Sequence, residues 1–296
     1  MKLNDNVLTM DVPEREPEQD DKGIGAILLE EGKLTPDGAV KIAELQRREG
    51  LKFGEAALRL GLVSEDDLCW AVAKLYDFPH LLPGSDNLSR ELVAAYEPAS
   101  LRAEELRALR TQLLVRWFNP GTRRPVLAVV SPNAGEGRSY LAANLAVTFS
   151  QLGERTLLID ADLRAPRQHR IFNVPDKIGL AAALSGRGER GAAVPVPVLG
   201  GLSLLPAGAL PPNPQELLSR TRFGALLKDM QARFDIIIID TPPAKVYADV
   251  QSVVYWAGSA VVLARKNHTR VDDTNSVAQE FADTGAHVVG TVINNF

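Results

Sequence analysis

The sequence predicts an α/β fold, an open and mostly parallel sheet flanked by helices, with a small helical domain ahead of it. Three observations carry this. Short apolar runs such as VLAVV and IIII recur from Val126 onward, and strands buried on both faces of a parallel sheet read this way. Helical segments lie between most of these runs, as crossover connections require. Ahead of them, two stretches of helical pattern repeat at an offset of 29 residues.

Composition narrows the setting. The chain has 296 residues, enough for one large domain and a small one, and a formal charge of −4. That balance gives no case for nucleic acid or an anionic membrane surface. One cysteine, Cys69, excludes an internal disulfide and suits a reducing compartment. The apolar runs are too short to span a bilayer, and the acidic start MDVPEREPEQDDKG is the opposite of a secretory signal. The expectation is a cytoplasmic protein recruited to the inner membrane only through a partner.

Residues 1–22 are polar, acidic and contain two prolines, and are expected to be a disordered tail. Residues 23–79 carry the repeat. IGAILLEEGKLTPDGAVKIAELQ and FGEAALRLGLVSEDDLCWAVAKL align without gaps, Gly25 on Gly54, Gly32 on Gly61 and Thr35 on Ser64. Each unit reads as a helix ended by glycine, an N-cap at Thr35 or Ser64, and a second helix with acidic residues in its first turn. Residues 80–99 read as a linker, with Pro83-Gly84 as a turn. From Ser100 to Phe296 the larger domain begins with an amphipathic helix whose apolar positions are Leu106, Leu109, Leu113 and Trp117. Strands are expected at Val126–Val130, Thr156–Ile159, Leu202–Leu205, Ile236–Ile239, Ala260–Leu263 and Val288–Ile293.

Three motifs carry chemistry. Between the first strand and the following helix lies SPNAGEGRS. Strand, glycine-bearing loop and helix is the setting of a phosphate-binding loop, in which Gly135 and Gly137 let the backbone approach an anion. Ala134, Gly135, Glu136, Gly137, Arg138, Ser139 and Tyr140 are the candidate nucleotide contacts, with Ser139 placed to bind Mg2+. The second motif, TLLIDADLRAPR, delivers Asp160 and Asp162 from the carboxyl end of a strand, both on one side of the chain. Such carboxylates can organise Mg2+ or accept a hydroxyl proton. Alone they would also suit a solvated turn. The third, FDIIIIDTPP, is a buried strand ending at Asp240, in the position of an aspartate that contacts Mg2+. Pro242-Pro243 then carry the chain out of the strand.

Together GEGRS, LLIDADLRAPR, NPQELL and FDIIIIDTPP resemble the bacterial tyrosine kinases (BY-kinases), relatives of the MinD/ParA ATPases with an added Asp-x-Asp motif. The resemblance covers residues 100–296 and is nearest to the exopolysaccharide chain-length kinases of the EpsG type. It implies ATP and Mg2+ as cofactors, phosphoryl transfer to a protein tyrosine, and a membrane-embedded chain-length determinant protein as activating partner. It makes Asp160, Asp162 and Arg138 the catalytic residues and Ser139, Asp160 and Asp240 the metal set, and adds Arg164 and Asn294 to the nucleotide contacts. Glu104, Arg107 and Arg110 match the family's Glu-x-x-Arg-x-x-Arg, which packs between subunits of a ring. By residues alone these three also suit a solvated helix face with a weak ion pair.

Two departures stand out. Arg138 occupies the place of the usual lysine, and a planar guanidinium is not a simple substitute for a point charge. The tyrosines Tyr76, Tyr96, Tyr140, Tyr247 and Tyr255 do not form the family's C-terminal cluster, so the expected acceptor is an internal tyrosine or one on another protein. The repeat, in turn, resembles the MshEN domain of type II secretion ATPases, which implies cyclic di-GMP as a ligand. The motif's arginine is missing from both copies and its glutamine from the second. A docking module is the alternative. With these departures, a MinD/ParA-like ATPase switch and a non-catalytic nucleotide-binding module stand beside the kinase reading.

Overall fold

The computed structural model describes residues 23–75, 81, 88–118, 126–187 and 193–295. The chain divides into two compact units, Met1–Phe78 and Pro79–Phe296. The expected disordered tail, residues 1–22, lies outside the described residues.

The first unit is two helix pairs, α1 (Ile24–Glu30) with α2 (Pro36–Glu49), and α3 (Phe53–Arg59) with α4 (Glu65–Leu75). Gly32 and Gly61 adopt φ of +68° and +61° between the members of each pair, where a side chain would be strained. The Thr35 hydroxyl accepts the Gly38 N–H at 3.1 Å. In the second copy Ser64 Oγ accepts from the Asp67 N–H at 3.1 Å, while Asp67 Oδ2 accepts from the Ser64 N–H at 3.1 Å. This reciprocal arrangement satisfies donors that a helix start leaves open. Leu28, Ile42, Ala56, Ala57 and Ala71 fill the small core.

Asp67 also pairs with Lys33. The Lys33 ammonium first, then the Ser64 hydroxyl, hold its carboxyl down to about 2. That lies below the ordinary value of about 4, so the contribution is complete above about pH 4 and fades as pH falls toward 2. Asp67→Asn is expected to weaken the start of α4 by about 1 kcal/mol. Amide exchange in α4 of the full chain should speed up at pH 6, with the gap to the native protein closing near pH 2.

The second unit is built on a seven-stranded sheet in the order β3-β4-β2-β5-β1-β6-β7. Its strands are β1 (Val126–Val130), β2 (Thr156–Asp160), β3 (Val194–Pro195), β4 (Leu202–Leu205), β5 (Ile236–Asp240), β6 (Ser259–Arg265) and β7 (His287–Asn294). All neighbours pair in parallel except β3 with β4. The six expected strands are present; β3 has two residues, one of them a proline, and offers no periodicity to read. Side chains alternate between two cores. Val126, Ala128, Ile237 and Ile239 face one layer with α9 (Leu180–Ser185), α10 (Pro214–Leu218), α11 (Thr221–Gln231), α12 (Asp249–Ala257) and α13 (Val271–Asp283). Leu127, Val129, Ile236 and Ile238 face the other with α5 (Val93–Tyr96), α6 (Leu101–Arg116), α7 (Arg138–Ser150) and α8 (Gln168–Ile171). This two-sided burial is why the strands read as unbroken apolar runs.

The expectation of a linker over residues 80–99 needs correction in its second half. From Leu88 the chain folds onto α7, burying Leu92, Ala94 and Ala95. The cause is polar. Asn144, fully buried in α7, donates to the Glu91 carbonyl at 2.8 Å and accepts the Ala94 N–H at 3.1 Å. Gln151 Nε2 donates to the Ala94 carbonyl at 3.0 Å. These side chains satisfy the backbone of a short segment that would otherwise be buried without partners. On α6, Leu106, Leu113 and Trp117 are buried, and Trp117 stands edge-on to Phe149 of α7 at 6.3 Å.

Candidate active site

The parallel strands end at one edge of the sheet, and the chemistry-bearing residues collect there. β1 runs into the loop 131–137, where Gly135 and Gly137 have φ of +74° and +98°. Only glycine takes these angles without strain. Gly137 is the N-cap of α7 and no side chain caps that helix, so its first N–H groups remain for an anion.

Arg138 does not point to solvent. It is 8% exposed, and its Nη1 donates to Ser131 Oγ at 2.5 Å and to the Asn133 carbonyl at 2.6 Å. Its Nε donates to the Thr241 carbonyl at 2.9 Å. The guanidinium thus ties the start of the loop to the chain leaving β5. Burial lowers its pKa, and the charges of Asp240, Asp162 and Glu136 work against that shift. The side chain of Glu136 is turned away from an incoming anion. It accepts from the Asn133 N–H at 2.8 Å, from Asn133 Nδ2 at 2.9 Å and from the Thr269 hydroxyl. Burial pushes the Glu136 carboxyl up, but the bonds from Thr269, Asn133 and Ser131 outweigh it and leave its pKa lowered.

Asp160 and Asp240 stand opposite each other in the register of β2 and β5. Both are fully buried, and Asp162, two residues beyond, is 6% exposed. Asp160 accepts backbone N–H groups from Asp162, Arg167 and Gln168 at 3.0–3.2 Å. Asp162 Oδ1 accepts from the N–H of Arg164 and Ala165 at 3.2 and 2.9 Å. Burial first, and then the neighbouring Asp240 charge, raise the Asp160 pKa. Asp240 is raised as well, by burial, against hydrogen bonds from Gln168 and the Ser139 hydroxyl. Carboxylates held this way gain from a nearby cation. Asp240 Oδ1 is buried without a hydrogen-bond partner among the described residues. No group of three His, Cys, Asp or Glu side chains there is spaced to hold a metal by itself. Buried carboxylates with an open acceptor, Asp240 Oδ1, beside a phosphate loop are a donor set that fits Mg2+, which keeps several waters and takes few protein ligands beside substrate phosphates.

Beside these lies a cleft of about 720 Å3. Gly135, Gly137 and Tyr140 form one side; Leu106 and Leu109 of α6 and Val292 of β7 give it apolar walls. Burial raises the Tyr140 pKa, so its hydroxyl stays protonated. Asn294 lines the cleft and donates to the Glu136 carbonyl at 3.1 Å.

Arg164 sits apart from the loop. Its guanidinium meets the buried Asp249 in two bonds of 2.8 and 3.0 Å and lies 4.2 Å from the ring centre of Tyr247. Of the three α6 residues, Arg107 pairs with Glu104 and donates to the Pro98 carbonyl at 2.7 Å. Arg110 turns inward, donating to the Thr148 carbonyl at 2.8 Å near the end of α7. Tyr96 is buried, whereas Tyr255 is 62% exposed; Tyr76 lies outside the described residues. Two participants went unread in the sequence, Thr241 and Gln168; Asp249, which the resemblance marks as an acidic position after Pro242-Pro243, was read without its partner Arg164. Gln168 Nε2 donates to Asp240 Oδ2 at 2.8 Å. No spacing rule marks the contacts Gln168–Asp240, Arg164–Asp249 and Arg138–Thr241, which join residues 72, 85 and 103 apart.

Residues 122–296 match the ParA family model, described as a NUBPL iron-transfer P-loop NTPase. The chain is 33% identical over 207 residues to the tyrosine-protein kinase YwqD of Bacillus subtilis, covering 70% of this chain and 86% of that one. It is 33% identical over 205 residues to the tyrosine-protein kinase wzc of Salmonella typhimurium, covering 69% of this chain and 28% of that protein. The chain thus spans under a third of that relative's length. The kinase domain of the Escherichia coli tyrosine kinase ETK superposes with a TM-score of 0.68 at 27% identity, over 75% of this chain and 86% of that structure.

Proposed function

Because this chain belongs to the bacterial tyrosine-protein kinases, with a ParA-type P-loop core, we propose that it transfers the γ-phosphoryl group of ATP to a protein tyrosine. The observation that carries this reading is the set of three aspartates, Asp160, Asp162 and Asp240, at the ends of adjacent strands beside the glycine loop. The loop N–H groups from Gly135 to Ser139 bind the phosphates, and the apolar walls of the cleft receive the base. Bound Mg2+ would neutralise phosphate charge, with Ser139, Asp240 and Asp160 as its protein partners. Asp162, with the most open carboxylate of the three, accepts the proton of the tyrosine hydroxyl. The tyrosine oxygen bonds to the γ-phosphorus as the bond to the leaving ADP oxygen breaks. Arg164, fixed on Asp249, orients the Asp160–Asp162 turn.

The role assigned is control of exopolysaccharide chain length, polymerisation or export, of the EpsG type. The kinase reported from a cps region of Klebsiella pneumoniae, 30% identical over 254 residues, supports that context. No helix among the described residues is long and apolar enough to cross a membrane. The proposed activator is a membrane-embedded chain-length determinant protein that recruits the chain from the cytoplasm to the inner membrane. Glu104 and Arg107 are the proposed ring contacts. Tyr255, the open tyrosine among the described residues, is the proposed internal acceptor. The helix-pair repeat is assigned as an MshEN-like docking module, with cyclic di-GMP as the ligand to test there.

The ParA family match leaves a second and less supported reading, an ATPase switch without kinase activity. One incubation separates the two. The purified protein is given Mg-ATP and the membrane partner, phosphotyrosine is mapped by mass spectrometry, and ADP release is followed. Phosphotyrosine is the expected result. ADP without phosphotyrosine selects the switch. Tight ATP binding with neither leaves a non-catalytic module.

A further inference from the structure

We propose that Gln168 is a positioning residue of the metal-binding face: its amide sets Asp240 against the phosphate loop and offers its own oxygen to the waters of a bound divalent cation. This deepens the reading of the site as one for a metal nucleotide and rests on it in that respect.

Gln168 is fully buried and bonds to Asp160, Asp240 and Ser139. Its backbone N–H donates to Asp160 Oδ2 at 3.0 Å. Its Nε2 donates to Asp240 Oδ2 at 2.8 Å and to the Ser139 carbonyl at 3.0 Å. The residue is therefore a three-way joint, its backbone on β2 and its side-chain amide on β5 and the first turn of α7. Its orientation follows from the network. Reversing the amide would set Oε1 against a carboxylate oxygen and a carbonyl oxygen, three acceptors with no donor between them. With both N–H groups engaged, Oε1 is left as an acceptor.

Among the described residues that buried acceptor has no hydrogen-bond partner, and neither has Asp240 Oδ1. Buried acceptors without donors are uncommon, and here two belong to hydrogen-bonded neighbours at a candidate metal site. Protein N–H groups do not supply the missing donors. The water ligands of Mg2+ do, since each presents two O–H groups and the ion dehydrates reluctantly. The neutral amide is suited to this place. A carboxylate there would add a further negative group beside Asp240, and an apolar side chain would leave Asp240 Oδ2 and the Ser139 carbonyl without their donor.

The test uses the full chain with ADP as probe. ADP affinity is measured by calorimetry without metal and over a Mg2+ series, in native protein and in Gln168→Met, with circular dichroism melting to show that the variant folds. The expected result is an unchanged metal-free affinity and a rise of about 10- to 100-fold in the Mg2+ concentration at half-effect. A purely structural role would move both measurements together. If Gln168→Met does not fold, Gln168→Asn, which keeps the amide but is one methylene short, is expected to shift the Mg2+ dependence in the same direction. Unchanged Mg2+ dependence in a folded variant overturns the proposal, as does ADP binding by native protein that ignores Mg2+. Native protein whose ADP binding depends on Mg2+ but which never forms phosphotyrosine overturns the kinase reading and leaves this one standing.

Discussion

Asp162→Asn is expected to lower phosphotyrosine formation by about a hundred- to ten-thousand-fold, the usual contribution of a positioned proton acceptor. ADP binding should stay within a few-fold of native. The three aspartates do not share this expectation, because their surroundings differ. Asp160 accepts three backbone N–H groups, and Asp240 is held by Gln168. Changing either disturbs the strand ends and the metal face together. Asp162 is the aspartate with an exposed edge, and the backbone bonds it makes, from Arg164 and Ala165, go to one oxygen. Asparagine retains that oxygen, so the turn is kept and the basic oxygen is lost. Removing the charge relieves Asp160, whose pKa Asp162 helps to raise, and takes one compensating charge from Arg138, so the variant should melt close to native. Single-turnover transfer, ADP titration and a melting curve check the three parts. Transfer at the native rate would show that the proton leaves by another group.

The second large effect is expected at Arg138. Three acceptors, Ser131 Oγ and the carbonyls of Asn133 and Thr241, depend on one guanidinium. Arg138→Ala leaves them without their donor and strips the compensating charge from among Asp240, Asp162 and Glu136. Removing one member of a buried charge cluster costs about 3–5 kcal/mol. For a unit of this size that is a fall of roughly 10 °C in melting temperature, accompanied by loss of nucleotide affinity as the loop loosens. Arg138→Lys restores the charge but cannot span both sides of the cradle with a single ammonium. It should recover part of the stability, about half, by the same melting measurement. An alanine variant that melts with the native protein would remove the guanidinium as the strut of the loop.

Much of the fold was legible because the central strands are buried on both faces. The run Ile236–Ile239 has one environment on each side, so burial wrote it as an unbroken apolar stretch, and its end at Asp240 located the site. The repeat was legible for a different reason: glycines at left-handed positions and short polar caps are local signals. The segment after Leu88 was not, since what makes it structured is the side chain of Asn144, fifty residues on. The same holds in the site. The loop and the aspartates announce themselves by spacing. Gln168 bonds across 29 and 72 residues, and Arg164 finds Asp249 across 85. Glu136 illustrates the converse: its place in the loop was plain, but the direction of its side chain depends on Thr269, 133 residues away.

The outer wall of the cleft comes from β7, whose Asn294 reaches back 158 residues to the Glu136 carbonyl. During synthesis the phosphate loop and all three aspartates leave the ribosome well before that wall exists. A nascent chain ending short of β7 displays the anion cradle but not the closed cleft, with β6 left as a bare sheet edge. Assembly of the site is therefore a non-local event in folding, one that must wait for a contact across 158 residues to close. The closed cleft arrives with β7 rather than with the motif that marks it.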